Sequence, residues 1–126
     1  MAARQGARGH RGGHRQSQVA AALPATHWGF AAFGEEVSYR GYLMQRAAQA
    51  LGGTRAAWWA AVVISAVLFG FGHFYKGPAG IVDSGFAGLV LGAAYLWSGR
   101  NLWVTVLAHG FIDTFALLAV YLGLSD

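Results

Sequence analysis

Six side chains in three short runs are of the types that could do chemistry together. The runs are Glu35-Glu36-Val37-Ser38-Tyr39-Arg40, Phe69-Gly70-Phe71-Gly72-His73 and His109-Gly110-Phe111-Ile112-Asp113. Each sets ionisable residues within or beside apolar sequence long enough for a helix. A charged side chain is costly in hydrocarbon, so an ionisable residue there is a functional candidate by default. Acid, base and cation are all supplied, which suits a catalytic or a transport site.

Glu36 and Arg40 stand four apart, so on a helix they face each other with the acid first, the favourable orientation. That pairing would keep Glu36 ionised and oriented. Glu35 is turned about 100° away on an α-helix and is not satisfied by the same arginine. A carboxylate beside another in a desolvated site titrates upward, toward the range useful for a general base. Glu35 is therefore the expected base and the Glu36–Arg40 pair its brace. A solvated helix start at the membrane interface would account for the same run without catalysis.

His73 follows an apolar helix, with Phe69 one turn earlier on the same face. Gly70 and Gly72 leave space where a substrate or a neighbouring helix could approach. Alone, such a histidine reads as a hydrogen-bonded interface residue. His109 and Asp113 are four apart and share a face, about 10 and 17 Å along a helix starting near Leu102. Their side chains are too short to reach water easily from there. A His–Asp hydrogen bond stapling helices together is the structural alternative.

Taken together, the six suit amide hydrolysis. Glu35 would take a proton from a water also held by His73. His109 and Asp113 would donate hydrogen bonds to the developing oxyanion. Asp113 donates only when protonated, which burial favours. Glu35, His73, His109 and Asp113 could equally hold one Zn²⁺ whose bound water is the nucleophile, and spacing does not choose between the two. Neither HExxH nor GxSxG occurs, so the common zincin and serine-hydrolase motifs do not apply.

The elements that would position these residues are apolar helices. The 126 residues allow one domain, with 56% hydrophobic and 11% charged residues. Soluble domains carry roughly 25% charged residues, so this surface expects lipid. The net charge of +4 comes from Arg4, Arg8, Arg11 and Arg15, because the acids and bases beyond them balance. The basic character thus reports a tail and not a nucleic-acid-binding face. No Cys is present, which excludes disulfides, thiolate metal sites and a Cys nucleophile.

Residues 1–18 have almost nothing apolar and are expected to be a disordered basic tail. They could be a targeting segment, a cytoplasmic tail, or upstream sequence read from a wrong start. Val19 to Leu23 is too short for a secretory signal core. Residues 19–126 form the expected domain. Ala56–Gly72, flanked by Trp58, Trp59 and Tyr75, has the pattern of a membrane span. Pro78 and Gly80 suggest a turn, Gly80–Trp97 a second span and Leu102–Leu124 a third. Ala20–Phe33 is apolar but short. Glu35–Leu51 reads as an amphipathic helix entering the bundle by its N-terminal end, with Leu43, Met44, Ala47, Ala50 and Leu51 on its apolar face and Gly52-Gly53 ending it. Ser84, Gly88 and Gly92 form a small-residue packing stripe.

Glu35-Glu36-xxx-Arg40-Gly41, Phe69-xxx-His73 and His109-xxx-Asp113, in this order on successive hydrophobic helices, resemble the motifs of the CPBP (Abi) family of intramembrane proteases. That family includes the type II CAAX prenyl endopeptidases. The resemblance covers about residues 30–123. It implies a multi-pass helical membrane endopeptidase, in which Glu35 is the general base, Glu36 and Arg40 its partners and His73 a water ligand. His109 and Asp113 would bind the transition state, with Asp113 at a position the family fills with Asn or Asp. Prenylated CAAX proteins are one substrate class of the family, and bacterial relatives are linked to bacteriocin processing and self-immunity. Family members usually carry more spans ahead of the glutamate motif. By that comparison the chain would be a minimal member, a fragment, or a gene model with a misplaced start.

The expected protein is an all-α, multi-pass transmembrane helical bundle of about three to four spans, in the plasma membrane. It would act on a peptide or protein substrate at the lipid bilayer, would not bind nucleic acid, and could be an oligomer. A proton- or ion-coupled membrane carrier or immunity protein would use the same buried Glu, His and Asp, as would a catalytically inactive truncated family member that only binds partners. Arg55 and Arg100 fall on one side and Lys76 on the other, so the positive-inside balance favours the arginine side as cytoplasmic.

Overall fold

The runs without ionisable residues fold as long helices. In the computed structural model, which describes residues 27–124, α1 is a continuous helical run. It is π-helical over His27–Glu35 and Val37–Leu43 and α-helical over Met44–Ala50. It is followed by α2 (Arg55–Gly72), a 3₁₀ turn (Phe74–Lys76), α3 (Gly77–Trp97) and α4 (Leu102–Tyr121). Three segments, Arg55–Gly72, Phe74–Trp97 and Leu102–Tyr121, are long and apolar enough to cross a membrane. Val63, Val67, Val90 and Leu107 are among the many apolar side chains they leave exposed, a surface suited to lipid. Among the described residues there is no strand, so the chain is an all-α bundle. The basic tail expected over residues 1–18 and the start of the apolar domain lie outside the described residues.

Polar residues set the helix ends. The Thr54 hydroxyl accepts from Ala57 N at 3.1 Å and caps α2. Asn101 Oδ1 accepts from Trp103 N at 3.0 Å and caps α4. Each closes one of the backbone donors that a helix start leaves unpaired. Gly53, at φ +70°, ends α1 with its N–H donated to Ala48 O at 2.8 Å. The second span begins three residues earlier than the Pro78–Gly80 pair suggested. Pro78 lies in the first turn of α3, where a missing N–H costs nothing, and the chain reversal is made by Phe74–Lys76 and by Gly77 at φ +79°.

The π-helical character of α1 changes which of its residues face inward. The buried positions are Ala32, Glu36, Arg40, Met44 and Ala48, one every four residues. On a regular α-helix of about 3.6 residues per turn that row would drift round the axis. Wider π turns, with i→i+5 bonding, counter the drift and hold the row on one line. Ser38 supports the altered bonding, since its hydroxyl donates to Gly34 O at 2.9 Å and competes for the carbonyl that an α-helix would use. The apolar face expected from α-helical spacing is corrected accordingly. Met44 is buried, but Ala50 and Leu51 are exposed.

Helix α3 packs along the length of α2, and small residues make this possible. A Cβ on Gly70 would stand 2.7 Å from Ile81 O, and one on Gly92 would stand 2.9 Å from Val62 Cγ1. Ser84, Gly88 and Gly92 are all buried, so the expected small-residue stripe is the α2–α3 contact. In lipid no hydrophobic force drives such pairs together, and close backbone approach supplies the attraction instead. The space beside Gly70 is thus taken by a neighbouring helix. A second cluster, with Met44, Ala48, Ala61, Val62 and Tyr95 at its centre, joins α1 to both. Gln45 Nε2 donates to Tyr95 Oη at 3.1 Å within the same contact. Helix α4 closes the bundle against the N-terminal part of α1 and against α3.

Candidate active site

The inward row of α1 carries a glutamate and an arginine into the bundle, and both are fully buried. Arg40 Nη1 donates to Glu36 Oε1 at 2.9 Å, as their spacing leads one to expect. Arg40 Nη2 donates to Gly88 O on α3, also at 2.9 Å. The guanidinium lies over the Phe69 ring, 5.0 Å from its centroid. Two buried charges are stable only when partnered this closely. Burial lowers the Arg40 pKa, Glu36 opposes that change, and an arginine remains a cation regardless.

Glu36 Oε1 has a second partner. His109 Nδ1, from α4, lies 2.8 Å away. A carboxylate oxygen only accepts, so Nδ1 carries the hydrogen and donates, which fixes the imidazole's tautomer and direction. Nε2 is left toward the other carboxyl groups, 3.8 Å from Glu35 Oε2 and 3.5 Å from Asp113 Oδ2. Spacing placed Asp113 on the same face of α4 as His109, with a His–Asp hydrogen bond as the structural alternative. The tighter partner of His109 is Glu36, which no helix periodicity connects to it.

Glu35 differs from its neighbour in exposure and in facing the pocket, although Glu36 Oε2 likewise has no hydrogen-bond partner among the described residues. Glu35 lies off the inward row, its side chain is 30% exposed, and its Oε2 has no hydrogen-bond partner among the described residues. Desolvation pushes its carboxyl above the usual range, with the nearby His109 and His73 pulling the other way. Glu35, His73, His109 and Asp113 line one pocket of about 260 Å³. Tyr75 and Lys76 also line it, and Ala116, Leu117 and Val120 form an apolar wall. His73, at the C-terminal cap of α2, sets Nδ1 2.8 Å from Phe69 O. A carbonyl accepts, so here too Nδ1 donates and Nε2 is unspent.

Phe69 is the common neighbour of this group. It is buried, with its ring centroid 4.7 Å from that of His73 and 5.8 Å from that of His109. Tyr39 meets the ring edge-on at 5.1 Å. The Tyr39 hydroxyl occupies the space at Gly72, where a Cβ would stand 3.1 Å from it.

All six expected residues are therefore brought together, Glu36 and Arg40 beneath the pocket and the other four on its wall. Sequence reasoning missed the Gly88 carbonyl, for which only the packing stripe gave a hint. It also missed Tyr75 and Lys76 as lining residues, although they directly follow His73. The Zn²⁺ alternative fits less well. Among the described residues no three His, Asp or Glu side chains are arranged to hold a metal ion.

An all-helical bundle with three apolar spans and ionisable groups turned inward defines a polytopic membrane protein with a polar site inside its helical layer. The chain belongs to the type II CAAX prenyl endopeptidase Rce1-like family, whose model matches residues 17–115. All six site residues lie within that match. A comparison with curated proteins and with solved structures finds no match.

Proposed function

We propose that this chain is an intramembrane endopeptidase that hydrolyses a peptide bond by an activated water, with CAAX-type processing as the reaction its family suggests. The observation that carries the reading is the single pocket shared by Glu35, His73, His109 and Asp113. Of the two glutamates, Glu35 is the one that lines the pocket with an unpaired oxygen, whereas Glu36 is fully buried, and a general base needs such an oxygen within reach of its water. Glu35 takes a proton from the water as oxygen attacks the scissile carbonyl carbon. His73 accepts from the same water through Nε2 and orients it. The oxyanion that forms is met by donors on His109 and Asp113. His109 can donate from Nε2 only when both ring nitrogens carry hydrogen, and ionised Glu36 beside Nδ1 balances that charge. Asp113 can donate only while its carboxyl carries a proton. The proton held by Glu35 then passes to the leaving amine, which breaks the C–N bond and returns Glu35 to its carboxylate form. The apolar wall of Ala116, Leu117 and Val120 suits an apolar side chain of the substrate.

The test is cleavage of a membrane-peptide library by the purified, detergent-solubilised protein, with Glu35→Ala and His73→Ala alongside and a zinc chelator in a parallel arm. Cleavage that both substitutions abolish and the chelator spares is the expected result. Folded wild-type protein that cleaves nothing would overturn the peptidase reading, and loss of activity to the chelator would overturn the metal-free mechanism.

A further inference from the structure

A second pocket, of about 340 Å³, lies at the opposite end of the bundle from Lys76 and is lined by Arg55, Arg100, Trp58, Trp59 and Trp97. Among the described residues its lining holds two guanidiniums and no carboxylate. Among the described residues neither arginine has an acidic partner, and both are exposed. Arg100 stacks on Trp58, 4.7 Å from the ring centroid, which leaves the N–H groups at the edge of its guanidinium free to donate. Its backbone sits at φ +62° and donates to Tyr95 O at 2.7 Å, so the loop that carries it is fixed. Trp59 and Trp97 meet edge-on at 5.9 Å.

The position of this pocket identifies its ligand. Arg55 opens α2, Trp97 closes α3 and Arg100 lies in the loop before α4, so the pocket sits where three spans end together. That is the depth of lipid headgroups, where Trp rings favour the interface and basic pockets between helices take anionic headgroups. Two unpaired arginines match the paired oxygens of a phosphodiester. The exposed apolar faces of the helices continue from the pocket toward the acyl region. We infer that this pocket binds the headgroup phosphate of an anionic phospholipid. The site is separate from the one that would hydrolyse peptides and holds whether or not that reading does.

The test is thermal unfolding of the full chain in detergent, titrated with dioleoylphosphatidylglycerol, dioleoylphosphatidylcholine or inorganic phosphate. The variants are Arg55→Gln, Arg100→Gln and Arg46→Gln. Arg46 lies on the C-terminal part of α1, over Tyr42, and does not line the pocket. It therefore removes the same charge without touching the site. Phosphatidylglycerol should raise the Tm of wild type and Arg46→Gln by roughly 4 °C or more, and phosphatidylcholine should not. Each pocket variant should lose at least half of that rise. If a pocket variant fails to fold, the selectivity of wild type and Arg46→Gln still decides. Equal responses to the two lipids, an equal response to inorganic phosphate, or a loss in Arg46→Gln matching that of the pocket variants would overturn the assignment.

Discussion

Glu36 Oε1 lies 2.8 Å from His109 Nδ1 and 2.9 Å from Arg40 Nη1, joining residues 73 positions apart through one buried oxygen. Arg40 extends the chain to the Gly88 carbonyl, so α1, α3 and α4 are tied at one point. In the proposed mechanism the two adjacent glutamates consequently have different tasks. Glu36, fully buried, holds a cation and an imidazole through Oε1, and Glu35, lining the pocket, accepts a proton.

Glu35→Gln should lower kcat by about 10²–10⁴-fold, the usual contribution of a general base, without lowering the Tm at pH 7. The amide removes a charge that burial disfavours. A Tm drop as large as the one expected for Glu36 would assign Glu35 a structural task instead.

Glu36→Ala should destabilise the protein by about 3–5 kcal/mol, because it leaves the Arg40 cation buried without its counter-charge. Arg40→Ala should cost a similar amount for the converse reason. The double variant Glu36→Met/Arg40→Met should be more stable than either alanine variant, and a double-mutant cycle in detergent unfolding measures this. Additive losses would mean that the pair is not coupled.

The pH response follows from Glu35. Burial raises its pKa in the folded state above the ordinary value of 4.5. Activity should therefore rise with pH through the raised pKa, as the base ionises. The stability linked to this group runs the other way: it is complete below 4.5 and is lost as pH rises through the folded-state value. Rate profiles of kcat and unfolding measured over the same pH range should show the opposed trends. Both should flatten at this residue's step in Glu35→Gln.

Gly70→Ala should lower stability by about 1–3 kcal/mol, the usual cost of overpacking, because its Cβ would meet backbone at Ile81 O. Gly85→Ala, whose Cβ would find its nearest neighbour at 3.7 Å, should be tolerated. Comparable unfolding of the two variants would mean that the α2–α3 approach is looser than described.

Phe69→Leu should reduce kcat by about 10-fold or more with a smaller change in KM, since the ring sets the positions of both histidines and small displacements of catalytic groups are costly. A kcat within twofold of wild type would show that the ring only fills space.

The three spans and the Glu36–Arg40 pair were legible in the sequence because both depend on local order. A run without ionisable residues has few alternatives to a membrane helix, and a four-residue spacing places two side chains together on nearly any helix. The inward face of α1 was not legible. Its π turns follow from local bonding at Ser38 and from burial against the other helices, and periodicity assumed the ordinary turn. The Pro78 turn was misplaced because proline suits the first helical turn as well as a break. The family resemblance, read from the three motifs, is matched by the family assignment.

By itself the sequence determined which residues could do chemistry, that they ride on apolar helices, and which of them pair within a single helix. Only the tertiary structure decided that His109 turns to Glu36, that the Gly88 carbonyl receives Arg40, and that Glu35 alone of the two glutamates faces the pocket. The physical reason is range. Pairs within one helix are fixed by the geometry of a turn. Pairs between helices depend on how closely backbones approach, which the glycines of α2 and α3 permit. They depend also on the requirement that every charge drawn into the bundle find a partner there.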